Sequence, residues 1–499
     1  MTKVKGLPLT NTGILSFGGY IPRRRLQRAE IAKAHRWYNA GLGRWARGER
    51  AIANWDEDSI TMAVEAAREC LKQVDTQDVS GVWMASTRFP FLDRQNAGIL
   101  AEALQLRGSF TTLDISSSQR AGTSGLMTAL SASAQNPILL AAAEKRRAKG
   151  ASASEMTIGD GAAAFLVGSG PVIARYMGGC THPVDFIDHF RGEDTSFDYV
   201  WEERWTRDEG FMKIVPASVK KLIEQTGVDP SSINTFCFPL GDTRTAASIA
   251  KRVGLPETSV ADNLQGSCGD TGSAHPLVML AKALETARPG DRILVTGFGQ
   301  GCDALLFEAT NALADRRPPL GISGHLERRT PESNYLRYLS HNDLITIDRG
   351  FRAEVDKPTS LTTHYRNRET AQSMVGGRCN KCGTVQFPRS NICVAPKCGA
   401  IGTQEPYPFA DRTGRLISFT ADSLTFTPDP PSYYGLVQFD GGGRLLCDLS
   451  DIDSVDDVHV GMPVRMVFRV KDYDTRRDFR RYFWKAVPVE LAAAGHQET

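Results

Sequence analysis

Over the first 310 or so residues, apolar positions alternate between two rhythms: a helical stripe, then a short uninterrupted apolar run closed by Gly, Pro, Ser or Asn. The stretch DEDSITMAVEAARECLKQ (56–73) sets Ile60, Ala63, Val64, Ala67 and Leu71 on one helical face, and VSGVWMASTRFP (79–90) follows as a buried strand running into a loop. The phrase recurs as the helix KIVPASVKKLIEQTG (213–227) and the strand INTFCFPLGDTR (233–244). The next units also correspond, since LDISSSQRAGTSGLMTALSAS (113–133) and DNLQGSCGDTGSAHPLVMLAKALE (262–285) both read as strand, small-residue turn and buried helix. Each is followed by two hairpin-like strands, PILLAAAE (137–144) with GDGAAAFLVG (159–168), and DRILVTGFG (291–299) with CDALLFEA (302–309). Shared order, length and turn composition predict an α/β domain over 1–312 built from two copies of one βαβ-rich unit, about 1–170 and 171–312.

Beyond Ala309 the texture changes. DRRPPLGISGHLERRTPES (315–333) is rich in Pro, Gly and Arg and reads as a linker, followed by an amphipathic helix in NYLRYLSHNDL (334–344), so that 313–375 forms a linker and helix. Four closely spaced cysteines mark a separate unit at 376–402. From 403 to 499 the alternating segments RLISFTADSLTF, YYGLVQFD, GRLLCDLS and PVRMVFRVKDY predict a small β-barrel.

Composition narrows this picture. The 499 residues carry 59 Lys+Arg against 57 Asp+Glu, a net charge of +2, so no broad basic field exists for a nucleic acid. DTRRDFRRYFWK (474–485) interleaves Arg with aromatic residues, the pattern of a single-strand platform, but also that of a solvated strand edge, and nucleic-acid binding is not expected. The N-terminus lacks a signal-type apolar run and no later stretch reaches ~18 apolar residues, which predicts a cytoplasmic protein with no membrane span. Six of the ten cysteines (70, 180, 237, 268, 302 and 447) are scattered, which argues for reduced thiols and one metal site rather than a disulfide framework.

That metal site is Cys379, Cys382, Cys393 and Cys398, spaced C-x2-C-x10-C-x4-C, with Gly383 and Gly399 after the second and fourth ligands. Two thiolate pairs on tight turns supply four soft ligands to a tetrahedral Zn²⁺ and leave no open position, so the zinc is structural. A second constellation is the turn Ser116-Ser117-Ser118-Gln119, which places Gln119 at the start of a buried helix where N–H groups favour negative charge. Such a turn either serves a nucleophile or oxyanion or is a plain strand-to-helix crossing. Asp270 is either a base raised by burial or a helix cap on the segment starting near Thr271. Cys268 on the same turn is either a reactive thiol or a small packing residue, and Cys302 ranks below it. His275 falls about a turn into the next helix and reads as a core histidine. His189 lies in the aromatic, charged excursion FIDHFRGEDTSFDYVWEERW (186–205) between the repeats, where it is a candidate proton donor or a loop residue.

The duplicated units, together with GERAIANWDEDSITMAVEAA, ASTRFPF, DISSSQRAGTSGL, GDGAAAFLVG and GFGQGCDALLFE, resemble the thiolase superfamily, most of all its 3-hydroxy-3-methylglutaryl-CoA synthase and ketoacyl-ACP synthase III branch. The downstream part resembles the zinc-ribbon/OB-fold domain that accompanies thiolase-like proteins. The resemblance implies a duplicated five-layer αβαβα fold followed by a zinc ribbon and an OB-fold barrel. It also implies a homodimer formed through the catalytic domain, and coenzyme A or acyl-CoA as substrate. Small residues of the conserved-type turns, Ser118, Gly122, Gly269, Gly299 and Gly301, are then the candidate substrate- and CoA-contacting positions.

The catalytic positions depart from that pattern. The nucleophilic Cys of those families is matched by Gln119, their catalytic His falls where this chain reads Phe238-Pro239-Leu240-Gly241, and the Asn of a G-N-T motif is matched by Asp270. A carboxamide forms no acyl-thioester, so ping-pong chemistry through residue 119 is excluded. Gln119 can still donate an N–H to a carbonyl oxygen and stabilise an enolate or oxyanion. The expected activity is therefore a CoA-dependent acyltransferase or lyase of β-oxo acids or β-oxo acyl-CoAs, with Gln119, Asp270, Cys268 and His189 as candidate catalytic residues. The rivals are a decarboxylase of a malonyl-type acid and a non-catalytic acyl-CoA-binding scaffold for a partner thiolase.

Overall fold

The computed structural model describes residues 12–489 except 73, 135, 355 and 357. It divides into two compact units, one formed by residues up to 342 apart from 102–105, the other by 102–105 and the chain from 343 onward.

The first unit is organised by nine strands: β1 (Thr12–Tyr20), β2 (Gly81–Ala85), β3 (Thr111–Ile115), β4 (Ile138–Glu144), β5 (Gly161–Ser169), β6 (Ala174–Pro183), β7 (Thr235–Cys237), β8 (Arg292–Phe298) and β9 (Gly301–Ala309). They hydrogen-bond in the order β7-β8-β9-β6-β1-β5-β4-β2-β3. Read outward from the middle, the first half runs β1-β5-β4-β2-β3 and the second β6-β9-β8-β7, with Val260 adding a parallel bridge to Phe236 outside β7. The two halves thus share one topology and meet where β1 pairs antiparallel with β6, Gly13 opposite Arg175. The expected hairpins are present: β4 pairs antiparallel with β5, and β8 with β9.

Helices fill three layers around the halves. The first, α1 (Ser59–Leu71), starts where Asp58 accepts the Thr61 N–H at 3.0 Å while the Thr61 hydroxyl oxygen accepts the Asp58 N–H at 2.8 Å, a capping box. Its apolar face covers β1, β5 and β4. The buried helices α2 (Ala121–Ala132) and α5 (His275–Thr286) lie against each other and against strands of both halves, forming the middle layer. Between them in the chain, α3 (Val215–Thr226) closes the far side over β6 and β9, with α4 (Thr243–Val253) packed beside it. The result is the αβαβα order. Its core joins Leu126, Leu140, Phe165, Leu277, Leu280 and Phe307, all fully buried, across the pseudo-repeat boundary.

The structure differs from the linker reading over 315–333, while the helix expected in 334–344 is present at Tyr335–His341. Thr330–Glu332 pairs in parallel with Arg24–Gln27, Glu332 meets Arg24 at 3.0 Å, and Ile322 and Tyr338 are buried. A Pro- and Arg-rich composition masked these anchors, because each is a single apolar or paired residue in a polar run.

In the second unit, Val375–Cys379 is the central strand of a small antiparallel sheet between Val385–Gln386 and Gln404–Pro408. Five antiparallel strands follow (Thr413–Asp422, Ser432–Phe439, Arg444–Asp448, Pro463–Asp474 and Phe479–Pro488), and a bridge from Leu449 to Ala486 brings the edges together as a barrel around Phe468 and Trp484. The arginines of 474–485 are engaged within this unit: Arg481 meets Asp472 at 2.5 Å, Arg477 meets Asp474 at 2.8 Å, Arg476 meets Asp356 at 3.3 Å, and Arg480 stacks on Tyr473.

Candidate active site and metal centre

Between β3 and α2 the chain turns through Ser117 in the left-handed region, φ +73°, and presents Ser118 and Gln119. The Ser118 hydroxyl and the Arg120 Nε both donate to the Gly299 carbonyl at 2.9 Å. Arg120 also pairs at 2.8 Å with Asp303, a fully buried carboxylate on β9 that accepts from Thr123, Ser124 and Thr181 as well. The turn of one half is therefore bolted to the last turn of the other. Gly299 is required there, because a Cβ would lie 2.8 Å from Ser118 Oγ and 3.0 Å from the Gln119 nitrogen. Gly122 is required too, since its Cβ would fall 2.2 Å from the Ser273 carbonyl oxygen. Gly269 and Gly301 serve turns against Gly159 and His182 rather than against Gln119.

The Gln119 side-chain Oε1 is buried with no hydrogen-bond partner. Amide O and N exchange by rotation, so this end can present an acceptor or a donor. A Cβ built on Gly272 would stand 3.0 Å from Gln119 Oε1, Arg146 Cδ and Glu144 Cγ, so these three side chains converge on one point. Glu144, the last residue of β4, accepts from the Thr87 N–H and the Ser273 hydroxyl, each at 2.6 Å. Complete burial pushes its carboxyl above the ordinary range, and these bonds only partly offset that. Arg146 is buried and lies 3.4 Å from Asp270 and 3.5 Å from Asp198, while its Nε has no partner. Asp270 accepts the Gly272 N–H through Oδ1 at 2.9 Å. It is thus both a turn cap and the carboxylate facing Arg146.

The other sequence candidates lie apart from this cluster. The Cys268 thiol is fully buried, its Sγ is within reach of the carbonyl oxygens of Leu264 (3.3 Å) and Gly269 (3.4 Å), and desolvation pushes it up to about 12. At neutral pH it is a thiol, and thiolate chemistry needs the opposite environment. Cys302 is likewise buried and shifted upward. His275 is the first residue of α5 rather than a turn inside it; its Nδ1 accepts the Thr271 N–H at 3.1 Å and its Nε2 donates to the Asn263 carbonyl at 2.7 Å. Phe238 is buried against Phe236 and Phe211.

His189 stands on a short hairpin, His189–Phe190 against Tyr199–Val200, with its Nδ1 3.1 Å from Asp188. It lines an open cavity of ≈ 200 Å³ with Ile187, Phe190, Tyr199, Trp201 and Trp205. The hairpin connects to the Gln119 cluster through Asp198, which Arg191 meets at 2.7 Å and Arg146 at 3.5 Å. Sequence reasoning passed over Glu144, Arg146, Arg191, Asp198 and Asp303. One signal for the first two was available, namely charged residues at the very end of the apolar run PILLAAAE, where a buried strand delivers them to the edge of the fold.

In the second unit the four sulfurs of Cys379, Cys382, Cys393 and Cys398 lie within 4.8 Å of one another, with Cys382 and Cys393 3.5 Å apart. Four thiolates around Zn²⁺ at ~2.3 Å require sulfur separations of roughly 3.8 Å, so this donor set fits zinc. Gly383 at φ +75° and Gly399 at φ +53° close the two knuckles as expected from their placement after the ligands.

Residues 223–307 match the C-terminal domain of 3-oxoacyl-[acyl-carrier-protein] synthase III, 371–400 the rubredoxin-like zinc ribbon of ChsH2, and 407–469 the C-terminal OB-fold domain of ChsH2. Among curated relatives, the hydroxymethylglutaryl-CoA synthase of Pyrococcus horikoshii is 28% identical over 320 residues, 62% of this chain and 90% of that one. That of Aeropyrum pernix is 29% identical over 320 residues, 62% and 88% respectively. An HMG-CoA synthase solved with CoA superposes with a TM-score of 0.58 at 18% identity over 66% of this chain and 89% of the other. The 3-oxoacyl-[acyl-carrier-protein] synthase III of Aquifex aeolicus VF5 gives 0.53 at 21% identity over 60% and 99%. With the duplicated topology and the four-cysteine centre, these matches show a thiolase-like fold similar to that of HMG-CoA synthase and 3-oxoacyl-[acyl-carrier-protein] synthase III, followed by a zinc ribbon and an OB-fold domain similar to those of ChsH2.

Proposed function

We propose that the protein is a CoA-dependent acyltransferase or lyase that makes or breaks the carbon–carbon bond next to a carbonyl in β-oxo acids or β-oxo acyl-CoAs. The observation that carries this is the Gln119 side-chain oxygen, buried and unpartnered just before α2 in a cluster with Glu144, Arg146 and Asp270. Claisen chemistry places negative charge on a carbonyl oxygen, and fixed donors in a water-poor site stabilise that charge without reorganising. Gln119, turned to donate, and the Arg146 guanidinium meet this need. With Cys268 held as a thiol, the acyl group passes directly to or from the CoA sulfur rather than through the enzyme. Asp270 keeps Arg146 in place, and His189 acts from the hairpin cavity as proton donor.

A homodimer through the first unit fits the outer position of β3, where Leu113 is 41% exposed on a strand edge. A cytoplasmic setting fits ten free cysteines. The scaffold reading keeps one observation in its favour, the aromatic packing at Phe238 where a catalytic base would stand.

Cleavage of a β-oxo acyl-CoA by CoA, followed by thioester product analysis, tests the proposal. Gln119→Ala is expected to lower kcat by roughly 10²–10³-fold, the usual cost of one oxyanion donor. No turnover with a panel of β-oxo acyl-CoAs, together with tight CoA binding, would establish the scaffold instead.

A further inference from the structure

The hairpin His189–Phe190 against Tyr199–Val200 carries more aromatic surface than its own packing needs. Phe190, Tyr199 and Trp201 are each more than half exposed, yet they stand in a row, with ring centroids 5.3 and 6.3 Å apart and planes tilted by 39° and 33°. Trp205 joins them in lining the cavity and is itself held by stacking on the buried Phe186 at 4.2 Å. Exposed rings scattered singly are ordinary, whereas a contiguous set around one concavity marks a place where something binds. At ≈ 200 Å³ the cavity is smaller than the roughly 300–1,000 Å³ of sites that enclose drug-sized molecules, so it suits a small ion.

The charge around it has one sign. Residues 183–205 hold seven Asp and Glu against Arg191 and Arg204, a balance of −5 in a chain of net charge +2. Both arginines are spent, Arg191 on Asp198 at 2.7 Å and Arg204 on Asp208 at 3.5 Å. Asp185, Glu193, Asp194 and Glu202 form no ion pair among the described residues. Arg88 and Arg146 reach this segment at the Ser196 carbonyl and at Asp198, and neither lines the cavity. Asp188 does line it. Its Oδ2 meets His189 Nδ1 at 3.1 Å, while its Oδ1 is buried with no hydrogen-bond partner. A buried carboxylate oxygen is ordinarily paired, and this one leaves its charge uncompensated at the cavity wall.

We propose that this cavity binds a small organic cation of the quaternary ammonium class. Aromatic faces attract a cation through their ring quadrupoles, and a quaternary ammonium, which has no N–H to satisfy, needs faces rather than hydrogen-bond acceptors. The Asp188 carboxylate and the surrounding acids add attraction of the same sign. A hard metal ion is a poorer fit, because it asks for six or more oxygen ligands and the lining supplies a single carboxylate. A neutral flat base would stack on the rings but draw nothing from the acidic surround. The site is separate from the Gln119 cluster and does not rest on the acyl chemistry assigned there.

The test is calorimetric titration of the full chain, at fixed low ionic strength, with choline and with its neutral tert-butyl analogue, in which carbon replaces the nitrogen. The two probes share shape and differ in charge. The native protein should bind choline at least about fivefold more tightly than the analogue, the scale of one cation–π contact at a part-exposed site. Asp188→Asn, which keeps the shape and removes the charge, should narrow that preference, and Trp201→Ala should weaken choline binding by about fivefold. Absence of choline binding, or equal affinity of the native protein for choline and the analogue, overturns the proposal without recourse to any variant. Tighter binding of adenosine than of choline also overturns it, by making the rings a stacking platform for a neutral base. A choline affinity unchanged in both variants places the ion elsewhere on the molecule and overturns it as well.

Discussion

At the scale of single residues, the informative positions are those whose chemistry is inverted by burial. His275 accepts a backbone N–H on Nδ1 and donates from Nε2, which is a complete pairing only for the neutral ring; protonating Nδ1 would set two donors against each other. Desolvation accordingly lowers its pKa. A depressed histidine contributes stability above its unfolded pKa of ~6.5 and loses it as pH falls, by up to about 1.4 kcal/mol per pH unit, since the unfolded chain takes up the proton first. The Tm of the native protein is therefore expected to drop between pH 7 and 5 more steeply than that of His275→Gln, and parallel slopes in the two proteins would refute the assignment. The turn that carries Gln119 was legible, because the small residues Ser116 to Ser118 and the apolar run after them mark a strand-to-helix crossing. Arg146 was not, because its significance lies in what surrounds it: two aspartates distant in sequence and a glycine whose missing Cβ lets it pack beside Gln119 and Glu144.

Among the secondary elements, periodicity predicted most of the helices and strands that frame the site. The helix at Ser59–Leu71, the strand at Gly81–Ala85 and the hairpins fall where apolar spacing and turn residues placed them. It failed over 315–333, where short elements gain stability from partners such as Glu69, whose carboxylate accepts the Leu320 and Gly321 N–H groups at 3.0 and 2.8 Å. No local pattern records a partner some 250 residues away. The ribbon is the opposite case, since four cysteine positions specify it. Its strands are short and its interior is the cysteine cluster itself, so ligand binding and folding are one equilibrium there. Chelation of zinc, or Cys393→Ser, is expected to expose residues 376–402 to rapid amide exchange while α2 and α5 stay protected, as hydrogen-exchange mass spectrometry can show. Unchanged protection of the ribbon after metal loss would contradict a structural ion.

For the whole molecule, the two halves share one strand order and interlock through Arg120–Asp303 and the Ser118–Gly299 contact, so the site belongs to neither repeat alone. The sheet ends at β3, whose Leu113 is exposed and whose outer backbone groups face away from β2. If a second copy pairs there, a charge on this edge opposes its own symmetry mate. Leu113→Lys is expected to shift sedimentation from dimer toward monomer while leaving the far-UV spectrum intact; a native protein that sediments as a monomer at micromolar concentration would rule out the edge as an interface.

The central position of β1 also bears on synthesis. In order of synthesis Thr12–Tyr20 precedes both of the strands that flank it in the finished sheet, β5 and β6, which begin at Gly161 and Ala174. It therefore waits for some 150 further residues before either edge is covered, and long-range pairing of this kind is slow to form and exposed to mispairing. A nascent chain of this protein carries its own future midline as an uncovered apolar strand, and passes through that exposed interval each time it is made.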